Sequence, residues 1–333
     1  IRYLDINYPP KLQYLLDSQS QSSVSMNFKV ELPSQIEEKF TNSTIPEQFA
    51  KYKLVSSFFS NYWEALFTLV VLLLIIVLIV FLAFLTTRIR FLGTAFVSVR
   101  DILKWNLFLM LLCTNMDGVG LFSSLLFLNT SLDTPWSALD LVICIGMNLL
   151  VVFLIFKVPF MIWTLQRARK RVFSIVSLDA KDDASVTIYA KKSKAISNRI
   201  EARYENCNIL FRNFKRTTFL QHSCMFFILL RIYLFNMIVG YLFKFPLAQA
   251  SLILLMSILI ILYLSIRRPF KRPLELIKNL VYESVIILVN ICVFIFAILD
   301  YKNIEASDLR VRMGDIVIMA NMIFNFLALF FII

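Results

Sequence analysis

Asp117 sits in LLCTNMDGVG (111–120), between apolar flanks, and two of the chain's six glycines, Gly118 and Gly120, stand beside it. A carboxylate inside a membrane-like run is expensive and normally faces a protein interior or a water-filled cavity. A second ionic group, Arg231, interrupts the apolar run FFILLRIYLFNMIVG. Asp117 follows Lys104 by thirteen residues and Arg231 follows Thr217 by fourteen. At about 1.5 Å per helical residue both are expected roughly 20 Å from the inner surface. Asn290 and Asn321 come out at similar levels, which makes a candidate intramembrane polar layer of Asp117, Arg231, Asn290 and Asn321.

Two chemistries fit such a layer. It could line an ion or solute path, with Gly118 and Gly120 marking a helix break that offers backbone groups to a ligand. It could equally be a buried Asp–Arg pair that fixes helix register, the glycines allowing close packing. The second reading carries more weight. No other half of the chain repeats the glycine-interrupted pattern, no row of spaced arginines suggests a voltage sensor, and no TVGYG-like filter occurs.

The elements that must position these residues are helical and apolar. Mean hydropathy is +0.74 and 59 % of residues are hydrophobic, more apolar surface than a soluble domain of this size can cover. The expected fold is an all-α polytopic membrane bundle. Seven runs are long enough to cross a core that needs about 20 helical residues: near 63–87, 104–128, 137–165, 217–241, 246–266, 279–299 and 314–333. KFPL closes a hairpin between the fourth and fifth.

Basic residues set the orientation. With the N-terminus outside, the inner loops 86–104, 166–216 and 267–278 hold 22 of the 34 Lys and Arg residues. The outer loops hold only Lys244, Lys302, Arg310 and Arg312. That bias predicts N-out and C-in. The sequons at Asn42 and Asn129 both fall on the expected outside, where glycosylation would occur. Lys157 is expected to snorkel toward the inner surface.

Loop 166–216 carries thirteen basic against five acidic residues. Its opening cluster, Arg167, Arg169, Lys170 and Arg171, holds topology and is expected to meet anionic inner-leaflet headgroups. Ile200, Tyr204, Cys207 and Phe211 follow helical spacing, as in an amphipathic helix on the inner surface. Glu283 is read as lying one turn inside the sixth run, in a structural salt bridge with an inner-face cation. The turn RRPFKRP (267–273) is stiffened by two prolines.

Residues 1–62 are read as the extracellular, membrane-proximal end of a larger ectodomain, and 63–333 as the seven-helix domain. NYPP reads as a turn and FKVEL alternates like a short strand. This segment is too small for a core of its own and is expected to pack on the outer membrane face. The chain opens on Ile1 and ends on an apolar run, which points to further sequence on both sides. None of the five cysteines lies in residues 1–62, so no disulfide framework is expected there.

Enzymatic and nucleic-acid roles find no support. With one histidine, His222, a His-rich metal site or a Ser-His-Asp triad has no basis, and P-loop, HExxH and GxSxG patterns are absent. No cofactor is implied. The net charge of +12 is explained by the inner loops rather than by a nucleic-acid partner. No DRY-like or NPxxY-like sequence supports a G-protein-coupled receptor.

Three stretches carry a resemblance: YLDINYPPKLQYLL, KYKLVSSFFSNYWEAL, and RRPFKRPLELIKNLVYESVIILVN. The pattern resembles the C-terminal multispanning module of large ciliate surface proteins, whose ectodomains carry cysteine-rich or β-helical repeats; mating-type recognition proteins share that design. It is distantly similar to fungal TRP-like, flavin-carrier membrane domains. The resemblance implies a plasma or ciliary membrane and a large extracellular assembly with other protein subunits, and it transfers no catalytic residue. Two functions follow: a membrane anchor and assembly module for a surface recognition or structural complex, or a TRP-like channel or small-solute transporter built on the Asp117–Arg231 layer.

Overall fold

The computed structural model describes residues 3–19, 27–40, 45–85, 96, 99, 103, 107–129, 134–178, 213–215, 217–304 and 307–332. Three short helices open the chain: α1 (Pro10–Gln19), α2 (Ser34–Phe40) and α3 (Glu47–Ala50). Then come α4 (Phe58–Leu85), α5 (Phe108–Thr114), α6 (Met116–Asn129) and α7 (Pro135–Leu178). The last five are α8 (Phe219–His222), α9 (Cys224–Tyr241), α10 (Pro246–Arg267), α11 (Pro273–Tyr301) and α12 (Ser307–Ile332). Among the described residues there is no strand, and the expected FKVEL strand is irregular, mostly exposed chain. Period-2 alternation over five residues is too short to form a strand without a neighbour to pair with.

Six helices are long and apolar enough to cross a membrane: Phe58–Leu85, Pro135–Thr164, Cys224–Tyr241, Pro246–Arg267, Pro273–Tyr301 and Ser307–Phe330. The bent pair α5–α6 makes a seventh if counted as one span. The chain is therefore a polytopic helical membrane protein with six or seven spans. Six of the seven expected runs hold such a helix and the second holds the bent pair; the fourth starts only at Cys224, and three begin earlier than apolarity alone suggests, at Phe58, Pro273 and Ser307.

Several helix starts have local causes. Pro246 and Pro273 stand at the first helical position of α10 and α11, where a missing N–H costs nothing and φ is already set. At α7, Ser137 N donates to Thr134 Oγ1 at 3.2 Å and Thr134 N to Ser137 Oγ at 3.4 Å, a reciprocal cap of the exposed first turn. Thr218 accepts from Gln221 N to start the short α8.

The chain divides into two compact units. The first comprises residues 1–67, 115–150 and 230–333. Its core joins Leu4, Ile6, Leu12, Leu16 and Phe49 of the N-terminal segment to Leu121 and Leu125 of α6 and to residues of α9 through α12, among them Val239, Ile253, Phe296 and Val317. Leu12, Phe49, Leu125 and Phe296 are fully buried. Tyr8 stands edge-on to Phe296 at 5.7 Å. The N-terminal segment thus shares the core of the helices and has none of its own. The second unit, 68–114 and 151–229, centres on Leu109, Val158, Met161 and Ile162, with Cys113, Leu154, Met225 and Phe226 packed against them.

Candidate functional site

Asp117 is the second residue of α6, just after a break at Asn115 where α5 and α6 meet at 49°. The break is held from two sides. Asn115 and Asn27 exchange amide hydrogen bonds at 2.8 and 3.0 Å, and Tyr62 Oη donates to the Asn115 carbonyl at 3.1 Å. Asp117 is exposed, and its Oδ1 accepts the Gly118 N–H at 2.8 Å. A carboxylate in the first turn suits the positive end of the helix dipole.

The glycines serve packing. No described glycine has positive φ, and α6 runs unbroken through Gly118 and Gly120. A Cβ on Gly118 would lie 3.1 Å from the Tyr62 ring, and one on Gly120 would lie 3.1 Å from Asn236 Cβ and the Tyr233 carbonyl. Gly240, which sequence reading passed over, is tighter still: its Cβ would fall 1.5 Å from Ser124 Oγ and 2.5 Å from Ser124 Cβ. Helices α6 and α9 cross through these small residues, the usual means by which membrane helices approach closely.

The expected Asp117–Arg231 pair does not form. Arg231 pairs with Glu283 of α11, their side chains 21 % and 13 % exposed. Arg231 lies ten residues before the end of α9 and Glu283 ten residues after the start of α11. Each is therefore about 15 Å from its helix end, near the middle of an apolar layer roughly 30 Å thick. Gly118, by contrast, lies against Tyr62, four residues and about 6 Å into α4. The depth count for Arg231 ran through 217–231 as one helix, whereas α8 ends at His222 and α9 starts at Cys224. Glu283 does sit in a structural ion pair, deeper than expected because α11 starts at Pro273.

The two asparagines part company as well. Asn290 donates to Ser257 Oγ at 2.8 Å, both buried, and ties α11 to α10. Asn321, half-buried on α12, makes no hydrogen bond to Asp117, Arg231 or Asn290. The four residues are not joined in one hydrogen-bonded network.

A different polar chain does form. Tyr233 Oη donates to Asn148 Oδ1 at 2.7 Å, and Asn148 Nδ2 donates to Ser123 Oγ at 2.6 Å and to the Cys144 carbonyl at 2.8 Å. The Ser123 hydroxyl in turn donates a hydrogen bond to the Val119 carbonyl. This chain ties α6, α7 and α9 together. Asp140, 2 % exposed, accepts the N–H groups of Phe58 at 3.0 Å and Phe59 at 2.7 Å. Ser57 Oγ takes the Ser60 N–H at 3.1 Å, so the first turn of α4 is capped by its own serine and by a carboxylate from α7. The available signal for Asp140 and Asn148 was the rarity of polar residues in the run 137–165.

The N-terminal segment is latched at α11 and α12. Arg310 pairs with Asp300 at 2.7 Å and donates to the Asn7 carbonyl at 3.0 Å, while Asn7 N donates to Asp300 Oδ2 at 2.8 Å. These residues line a cavity of about 450 Å³ together with Tyr8, Pro9 and Ser307. Burial pushes the Tyr8 phenol far above its usual range, with Tyr52 and Asp300 adding to the effect.

Of the expected headgroup contacts, Arg167 is exposed and stacks on Trp163 at 5.0 Å; the side chains of Arg169, Lys170 and Arg171 lie outside the described residues, as do Asn42 and the helix expected around Tyr204. Lys157 lies over the Phe153 ring at 5.2 Å. Asn129 ends α6 and donates to the Leu125 carbonyl at 3.1 Å. Among the described residues no group of three His, Cys, Asp or Glu could hold a metal. No family model, curated protein or solved structure matches the chain.

Proposed function

We propose that the chain is a membrane anchor and assembly module, with its N-terminus outside the cell, that holds a larger surface recognition or structural apparatus. The observation that carries this reading is the shared core of the first unit. Leu12, Leu16 and Phe49 of the extramembrane segment pack with α6 and α9–α12 in one hydrophobic cluster. A load applied ahead of residue 3 therefore acts on the helices directly, without an intervening flexible joint.

The polar residues support the same reading. Arg231 and Glu283, Asn290 and Ser257, and Tyr233, Asn148 and Ser123 each join one helix to another. Groups spent on helix–helix contacts are unavailable to coordinate a permeant species. The basic bias of loops 86–104, 166–216 and 267–278 supports the N-out orientation, and the sequence resemblance supports a ciliate-type surface assembly.

The transporter or channel reading keeps one observation in its favour, the exposed carboxylate of Asp117 at a bent helix junction. Whole-cell current and solute uptake after expression of wild type, Asp117→Asn and Arg231→Gln separate the two. Anchoring expects background signals from all three. A wild-type signal that Asp117→Asn removes overturns it.

A further inference from the structure

The turn between α10 and α11 reads Arg267-Arg268-Pro269-Phe270-Lys271-Arg272. Helix α10 stops because Arg268 takes the left-handed conformation, φ 47° and ψ 60°, while its N–H donates to the Leu264 carbonyl at 3.0 Å. Residues other than glycine rarely adopt that backbone. Pro269 and Phe270 are buried, and Pro273 opens the next helix. Four exposed cations thus project from a turn whose backbone is fixed at both ends and in the middle.

The side chains next to the turn set its level. Ile266, Leu274 and Ile277 are 71 %, 65 % and 56 % exposed, yet they belong to helices that cross the membrane, so their faces lie against acyl chains. Cations adjoining such residues stand at the boundary where phosphate headgroups lie. The only acid between residues 265 and 278 is Glu275.

We propose that Arg268 and Arg272 form a docking surface for the phosphate of an anionic phospholipid, whose acyl chains run along Ile266, Leu274 and Ile277. Arg267 and Lys271 share the turn but already have partners within the chain, which leaves the other two guanidinium groups to the ligand. A guanidinium presents a planar fork that matches phosphate oxygens two at a time. The surface depends on the spans and not on whether the bundle anchors or transports.

The test is native mass spectrometry of the full chain in detergent, offered equal amounts of short-chain phosphatidylserine and phosphatidylcholine. Preferential retention of phosphatidylserine is expected, weakened about fivefold by Arg272→Gln and again by adding Arg268→Asn. Asparagine is chosen because it tolerates the left-handed backbone. Arg272→Lys should restore part of the preference. Retention by the wild type should fall as salt rises, a reading that needs no variant to fold. Equal retention of both lipids, retention indifferent to salt, or retention indifferent to the variants overturns the proposal. Displacement by glycerophosphoserine, which lacks acyl chains, overturns the lipid source in favour of a free phosphate. Displacement by a poly-glutamate peptide assigns the turn to an acidic protein segment instead.

Discussion

At the scale of single residues, the strongest constraint is the ion pair at mid-helix. Replacing either Arg231 or Glu283 with glutamine leaves the other charge without compensation in an apolar setting, at a cost of about 3 kcal/mol. Thermal denaturation in detergent should show a clear drop for Arg231→Gln and for Glu283→Gln. The double variant Arg231→Met/Glu283→Leu should recover most of it, because an apolar pair of similar volume removes the desolvation cost altogether. The glycines offer a matched contrast. Gly240→Ala must displace Ser124, an overpacking worth roughly 1–3 kcal/mol. Gly146→Ala meets nothing within 4 Å and should be neutral or slightly stabilising in the same assay, since alanine favours helix by up to about 1 kcal/mol. That Arg231 needed an acidic partner was legible in the sequence. Which acid it takes was not, because Glu283 looked interfacial until α11 was seen to begin at Pro273.

At the scale of elements, the spans were legible because each is a long apolar run, and their ends were not because capping extends them into polar sequence. Asp140 shows why. It lies in the first turns of α7, yet its function is to cap α4, a relation between segments more than eighty residues apart. Asp140→Leu should lower thermal stability by about 1–2 kcal/mol, the usual cost of losing a cap. The break at Asn115 was equally hidden: no proline marks it, and Asn27, which holds it, comes from the N-terminal segment. In that segment Asp17 anchors α1 to α3 and the turn after it. Burial alone would raise its carboxyl, but Lys51 at 3.1 Å, Tyr52 at 3.1 Å and Gln13 at 2.9 Å hold it below the usual carboxylate value. A lowered carboxyl stabilises the fold above the unfolded-state value and loses that contribution as pH falls through the folded one. Protection of residues 10–19 against proteolysis should therefore hold at pH 5 and weaken below about pH 4. Asp17→Asn should remove this step and leave protection flat across that range.

At the scale of the whole molecule, the account rests on the N-terminal segment and the helices of the first unit sharing one core. Sequence alone indicated that residues 1–62 could not sustain a core; it did not indicate where Leu12 and Phe49 would be buried, since that depends on residues from five distant helices, α6 and α9–α12, meeting in one cluster. Leu12→Ala should accordingly cost about 2–5 kcal/mol, as for a fully buried leucine, and the loss should appear as a lower denaturation temperature of the helices as well as of the segment. The Asp300–Arg310–Asn7 latch adds to this attachment. The most direct measurement is hydrogen–deuterium exchange on the full chain in lipid nanodiscs. The account expects amides of residues 10–19 to exchange as slowly as those of Val289–Leu299 in α11, and Leu12→Ala to speed both. Complete exchange of residues 10–19 within seconds, with α11 still protected, would contradict a shared core and with it the anchoring function.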